Sequence, residues 1–211
     1  KLCPVTLELG GKNPNIIMSD ADLDIAIPGV IDGMRYTRQG QACTAGSRVY
    51  IHEKIYDKVL NGAVEKLSKL KMGNALDEKS DIGAIISEEQ LKRTLYYMDI
   101  AKKNSSTKIL HGGNQSKGGD YKDGFYYEPT LLSGLPVSSP VCQEEVFGPV
   151  ACAIPFKSFD EVMESANDTQ FGLSAVLWTK DLSRALQFVD EIEAGFVQVN
   201  QCVAPRANVS Y

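Results

Sequence analysis

Three short stretches of this 211-residue chain group residue types that could do chemistry. Gly40-Gln41-Ala42-Cys43-Thr44-Ala45-Gly46-Ser47-Arg48 sets one cysteine among small residues. A carbonyl compound could reach that sulfur and find a backbone N–H for a developing oxyanion, as a thiol nucleophile requires. A buried core thiol in a small-residue turn fits the same letters. Glu8-Leu9-Gly10-Gly11-Lys12 offers a carboxylate followed by paired glycines, which permit a sharp turn or the close approach of another molecule. An ordinary tight turn with solvated Glu8 and Lys12 is the alternative, and neither phosphate-loop glycine pattern is present. Gln143-Glu144-Glu145-Val146-Phe147-Gly148-Pro149 carries two adjacent carboxylates, of which only one can face a given site if the chain is extended. A solvated acidic loop is its plainer reading.

The composition limits the reaction classes. With 22 Lys+Arg against 27 Asp+Glu the net charge is −5, and no basic cluster points to nucleic acid or an anionic membrane surface. No apolar run approaches the roughly 20 residues of a membrane span, and KLCPVTLELGGK lacks a secretory leader's apolar core. The five cysteines (Cys3, Cys43, Cys142, Cys152, Cys202) are scattered, fitting neither a disulfide framework nor a zinc site, and no metal is expected. Their free thiols suggest a reducing, cytoplasmic setting. Apart from Cys43, each is read as a small buried hydrophobe.

The elements that must position these stretches alternate. Strands are expected at Pro4–Leu9, from its period-2 pattern, at 15–18, 49–52, 108–110, 125–132, 150–156, 173–179 and 195–200. Helical spacing marks 23–34, with Pro28 either starting or kinking it, and also 54–70. Ser87-x-x-Gln90 and Ser158-x-x-Glu161 cap two more helices, and 181–192 carries a stripe of Leu182, Ala185/Leu186 and Val189. Residues 112–124 read as an exposed glycine-rich loop. The fold class expected is α/β: a mostly parallel twisted sheet with helices on both faces, one domain over residues 1–211. The three stretches are then expected beyond the carboxyl ends of strands, where such sheets usually gather ligands.

Taken together, LELGGKNPNIIMSDADLD, GQACTAGSR with Cys43 31 residues after Lys12, QEEVFGPV, GLSAVLWT and AGFVQVN resemble the catalytic half of the aldehyde dehydrogenase superfamily, in order and spacing, over essentially the whole chain. The resemblance implies NAD- or NADP-dependent oxidation of an aldehyde to a carboxylate. Cys43 matches the nucleophile, which forms a thiohemiacetal and then a thioester, and Glu8 matches the general base that activates the hydrolytic water. Glu145, Phe147 and Leu9 match positions toward the cofactor, while Lys12 with Gly10 and Gly11 is expected to support the base. Thr37, Ala42, Thr44, Asn200 and Tyr211 are expected around the substrate pocket.

The sequence also departs from the family pattern. Arg38 stands near a usual asparagine and Thr37 where many relatives carry an aromatic, so the pocket's shape is open. The family's amino-terminal dinucleotide-binding domain and its G-G-x-K-x-S-G segment are not in this sequence. This implies a catalytic domain that binds dinucleotide weakly by itself, with a missing amino-terminal domain as partner and a homo-oligomer as parent. A fragment without dehydrogenase activity, at most a weak thiol-dependent esterase, and a non-catalytic fold are the competing readings.

Overall fold

The computed structural model describes residues 2–5 and 7–202. Its centre is a seven-stranded sheet of β1 (Pro14–Ile17), β2 (Arg48–His52), β3 (Lys108–His111), β6 (Thr130–Ser133), β7 (Val150–Phe156), β8 (Ser174–Trp178) and β9 (Phe196–Val199). The order is β3-β6-β7-β2-β1-β8-β9, every pair parallel except β3 with β6. Two short strands, β4 (Gln115–Ser116) and β5 (Tyr126–Tyr127), pair apart from it, inside or beside the stretch expected to be loop.

Helices cover both faces because consecutive strand residues point to opposite sides. Ile17, Ile51 and Ala153 face α1 (Leu23–Gly33) and α2 (Tyr56–Leu67) in one apolar cluster. Ile16, Tyr50 and Cys152 join residues of α3 (Glu88–Lys103), α4 (Pro140–Gln143), α5 (Phe159–Asn167) and α6 (Leu182–Glu191) in the other. Both expected serine caps form, with Ser87 Oγ accepting from the Gln90 N–H and Ser158 Oγ from the Glu161 N–H. Helix α1 starts at Leu23, where Asp22 caps it, and runs through Pro28 rather than beginning there.

Several expectations fail. Of the four cysteines read as small buried hydrophobes, Cys142 and Cys152 are buried, Cys202 is half-buried and Cys3 is exposed. Pro4–Leu9 forms no strand among its described residues, and Leu7 and Leu9 are 69% and 66% exposed. An alternating pattern makes a strand only where a neighbour offers a ladder, and among the described residues none pairs with this segment. Along α6, Leu182, Leu186 and Val189 face solvent, whereas Phe188 is fully buried. The stripe has helical spacing, but the single aromatic has more apolar surface to remove from water and takes the inner face.

Near the middle of the sheet, Asn15 is fully buried and ties three elements together. Its Oδ1 accepts from Trp178 Nε1 at 2.7 Å and its Nδ2 donates to the Gly29 carbonyl at 3.2 Å. The indole lies so close to α1 that a Cβ on Gly29 would stand 2.1 Å from Trp178 Cζ2. Gly29→Ala must therefore push the ring or the helix aside, and we expect it to lower stability by about 1–3 kcal/mol in urea denaturation. An unchanged midpoint would show that α1 can slide away from Trp178 without loss.

Candidate active site

The three stretches meet, but at the opposite end of the sheet from that expected. Gly11 precedes β1, Cys43 precedes β2 and Glu145 precedes β7, so they cluster at the amino ends of the parallel strands. The general preference for carboxyl ends arises from crossover connections that start there. Here the connections entering β1, β2 and β7 are the long, glycine-bearing ones.

The contact between them is made by backbone. The Gly11 N–H donates to Glu145 Oε1 at 3.1 Å. A Cβ on Gly11 would lie 2.3 Å from the Cys43 carbonyl oxygen, and one on Gly10 would lie 2.5 Å from Glu145 Oε2. Asn13, buried two residues later, donates from Nδ2 to the carbonyls of Cys43 (2.7 Å) and Ala45 (2.9 Å). Its Oδ1 accepts from the Ser174 N–H at 3.0 Å, which fixes the cysteine loop against the start of β8.

The cysteine loop is also bent from its other side. Arg35, Gln39 and Gly40 have φ near +57°, +55° and +63°, around a 3₁₀ turn at Tyr36–Arg38. Tyr36 is buried there, donating to the Thr130 carbonyl at 2.8 Å. Left-handed backbone at two non-glycine residues stores strain that the surrounding contacts must hold. Gly40 in turn has no room for a side chain, because a Cβ would meet the Gly148 carbonyl oxygen at 2.2 Å.

Glu144 and Glu145 diverge, as extended neighbours should. Glu144 Oε2 accepts from the Tyr97 hydroxyl at 2.8 Å, and burial together with that bond pushes the phenol up to about 12. Tyr97 therefore stays protonated and donates at neutral pH. Phe147 has φ of 54°, and its carbonyl and that of Val146 both accept from Gln90 Nε2. Arg93 holds the Glu145 carbonyl through Nε and Nη2 while stacking over Tyr97. The loop is thus fastened by α3 while Glu145's side chain reaches Gly11.

The remaining expected residues are spread out. Cys43, Ala42 and Thr44 are half-buried in one loop, and Thr37 is exposed on the 3₁₀ turn. Glu8 is exposed on the segment leading to Gly10. Leu9 lines an open cleft of about 520 Å³ with Gly10, Gln170, Phe171, Gly172 and Leu173. Asn200 ends β9 at the carboxyl side of the sheet, accepting from the Thr179 N–H and donating to its carbonyl, so the strand length separates it from the cluster. The chain then turns back, since Cys202 Sγ would lie 2.9 Å from a Cβ on Gly33, whose carbonyl accepts from the Gly46 N–H. Tyr211 lies outside the described residues.

Asn13, Gln90 and Arg93 escape a reading by motif. Asn13 has one local signal, a polar amide at the mouth of a largely apolar strand; Gln90 is marked in the sequence only as part of a helix cap, and Arg93 has no signal. Asn13→Ala leaves two carbonyls and an N–H without their partner, a cost of about 1–3 kcal/mol. We expect lower denaturation midpoints and faster hydrogen exchange at the Ser174 amide. Unchanged protection there would remove Asn13 from its clamping role.

Comparison with known proteins shows what the chain is similar to. A family model described as the aldehyde dehydrogenase family matches residues 1–211. The chain is 40% identical over 196 residues to a putative aldehyde dehydrogenase, DhaS, of Bacillus subtilis, covering 93% of this chain and 38% of that protein. It is 43% identical over 205 residues to an aldehyde dehydrogenase of Deinococcus radiodurans, covering 94% and 39%. A solved NAD+ complex of an aldehyde dehydrogenase from Bacillus cereus superposes with a TM-score of 0.91 at 36% identity, over 97% of this chain and 40% of that one. The chain thus spans about two fifths of the length of the relatives it matches.

Proposed function

The chain belongs to the aldehyde dehydrogenase family, and from that premise we propose that it is the catalytic portion of an enzyme that oxidises an aldehyde to its acid with NAD or NADP. The observation that carries the proposal is the junction of three loops over Gly11. It holds a half-buried cysteine loop, a fixed carboxylate and a glycine pair within one another's contact distance. A structural turn needs no such convergence.

In this reading Cys43 attacks the aldehyde carbon as thiolate, and its own backbone N–H helps hold the oxyanion. Glu8 takes a proton from the water that releases the acid from the sulfur. The Cys43 carbonyl is clamped by Asn13, so the sulfur's direction of approach is set by the loop and not by a long side chain. Ala42 and Thr44 shape the near wall of the pocket without filling it.

The residues present suit a dinucleotide. Glu145 has one oxygen fixed by the Gly11 N–H, which orients the remaining lone pairs to accept from a ribose hydroxyl. The Gly10–Gly11 backbone leaves a surface that any Cβ would block, and Phe147 and Leu9 supply apolar contact. When bound, the nicotinamide supplies the hydride acceptor. The exposed Leu7 and Leu9, on either side of an exposed Glu8, support a further point. The general base gains its shielding from parts of the enzyme beyond the two fifths spanned here, so this chain by itself binds dinucleotide weakly.

The test uses the full-length protein with NAD or NADP and a panel of aldehydes, followed by nicotinamide absorbance. Cys43→Ala is expected to lower turnover on the order of a thousandfold or more, as loss of a nucleophile does elsewhere. Glu8→Gln is expected to slow acid release while leaving Cys43 open to alkylation by iodoacetamide. Aldehyde oxidation that survives Cys43→Ala would sink the assignment.

A further inference from the structure

Helix α3 presents a stripe of polar residues to the carboxylate loop. Gln90, Arg93, Thr94 and Tyr97 fall at i, i+3, i+4 and i+7, so they share one face of the helix. That face meets five consecutive residues of the loop. Tyr97 donates to Glu144, Arg93 to Glu145, and Gln90 to Val146 and Phe147. Thr94 Oγ1 fills the space that a Cβ on Gly148 would need. Except at Glu144, each of these hydrogen bonds ends on a main-chain carbonyl.

Arg93 is placed against its local preference. It is exposed, and Glu89 stands four residues before it, the order that favours an ion pair on a helix surface. Glu88 and Lys92, one residue earlier at the same spacing, do pair at 2.9 Å. Among the described residues Arg93 makes no ion pair. Its Nε and Nη2 both donate to the Glu145 carbonyl, 52 residues away in the chain. Its Cζ lies 5.5 Å from the centre of the Tyr97 ring, which is buried and gives the guanidinium a fixed face to rest on.

We propose that Arg93 is a positioning residue for the dinucleotide, setting the direction of the Glu145 carboxylate by holding its main chain, a role that rests on Glu145 being the ribose acceptor. Glu145 is held at both ends. The Gly11 N–H donates to carboxylate Oε1 at 3.1 Å while Arg93 donates to the carbonyl. Oε2 is then the oxygen left to accept from a ribose hydroxyl. Without Arg93 the Glu145 peptide can turn, and the single bond to Gly11 no longer fixes where Oε2 points. Cys43 is fastened separately, through the bond from Asn13 to its carbonyl. Loss of Arg93 therefore reaches the cofactor and spares the nucleophile.

The full-length protein is titrated with NAD and with NADP by calorimetry, and assayed over ranges of dinucleotide and aldehyde. Wild type, Arg93→Ala, Glu145→Gln and the double variant are compared. Arg93 lies on the surface, so its removal leaves the buried face of α3 intact. We expect Arg93→Ala to weaken dinucleotide Kd and KM on the order of tenfold, the worth of one hydrogen bond from a charged donor. kcat and the aldehyde KM are expected to change little. Glu145→Gln is expected to weaken dinucleotide binding too, and adding Arg93→Ala to it is expected to cost little more, because Arg93 acts through Glu145. Fully additive losses, or an aldehyde KM that rises with the dinucleotide KM, would make Arg93 merely structural and overturn the proposal. An unchanged Kd in Arg93→Ala beside a weakened one in Glu145→Gln removes Arg93 and leaves Glu145 its role. An unchanged Kd in Glu145→Gln removes both.

Discussion

The site depends on a strip of backbone that has no room for a side chain. At Gly11 one loop's carbonyl presses from one direction and another loop's carboxylate accepts the N–H from a different one. Any Cβ there would displace the Cys43 carbonyl, and with it the clamp of Asn13 and the start of β8. Three sequence-distant segments are thus kept in register by one missing methyl group and one amide side chain. Side chains reach the site from loops, but their positions are fixed by main-chain contacts that tolerate very little change.

Lys12 and Arg48 lie buried behind this arrangement, and among the described residues neither forms an ion pair with a carboxylate. Arg48 is fully buried at the first residue of β2. Its Nε donates to the Lys12 carbonyl, its Nη1 to Tyr50 and Ser165, and its Nη2 to Ala166. The Ser165 and Ala166 carbonyls belong to the last turn of α5, where the helix dipole is negative. A guanidinium suits this task because its planar fork reaches several carbonyls at once, which a lysine cannot do. Desolvating the charge is costly, and the set of donated bonds is what offsets it. Arg48 therefore links the entry of β1 to the carboxyl terminus of α5.

Much of the layout was legible in the chain. Strand β7 has the bounds its apolar run indicates, and two serine caps mark helix starts because their oxygen-to-amide geometry is local. The convergence of Cys43, Gly11 and Glu145 followed from resemblance, since nothing in the spacing alone brings residues 11, 43 and 145 together. What failed depended on distant partners. Pro4–Leu9 alternates correctly yet finds no ladder, and the α6 stripe loses the inner face to Phe188. The end of the sheet was misassigned because a rule about many folds was applied where the long connections enter strands instead of leaving them. Asn13, Arg93 and Gln90 act through bonds to residues 30 to 161 positions away, which no local pattern encodes.

The strand order has a kinetic consequence. β1, near the start of the chain, pairs on one side with β2 and on the other with β8, where Asn15 stands opposite Val176. The middle of the sheet therefore cannot close until most of the sequence is available, and loop closure over such separations must precede any reward from pairing. During synthesis β1 and β2 would wait with both outer edges bare until β7 and β8 are made. A bare parallel edge is an invitation to wrong partners. Helices α1 and α2, which are complete early and pack on one face of those two strands, offer some cover in that interval. The other flank of β1 stays open until the last quarter of the chain arrives.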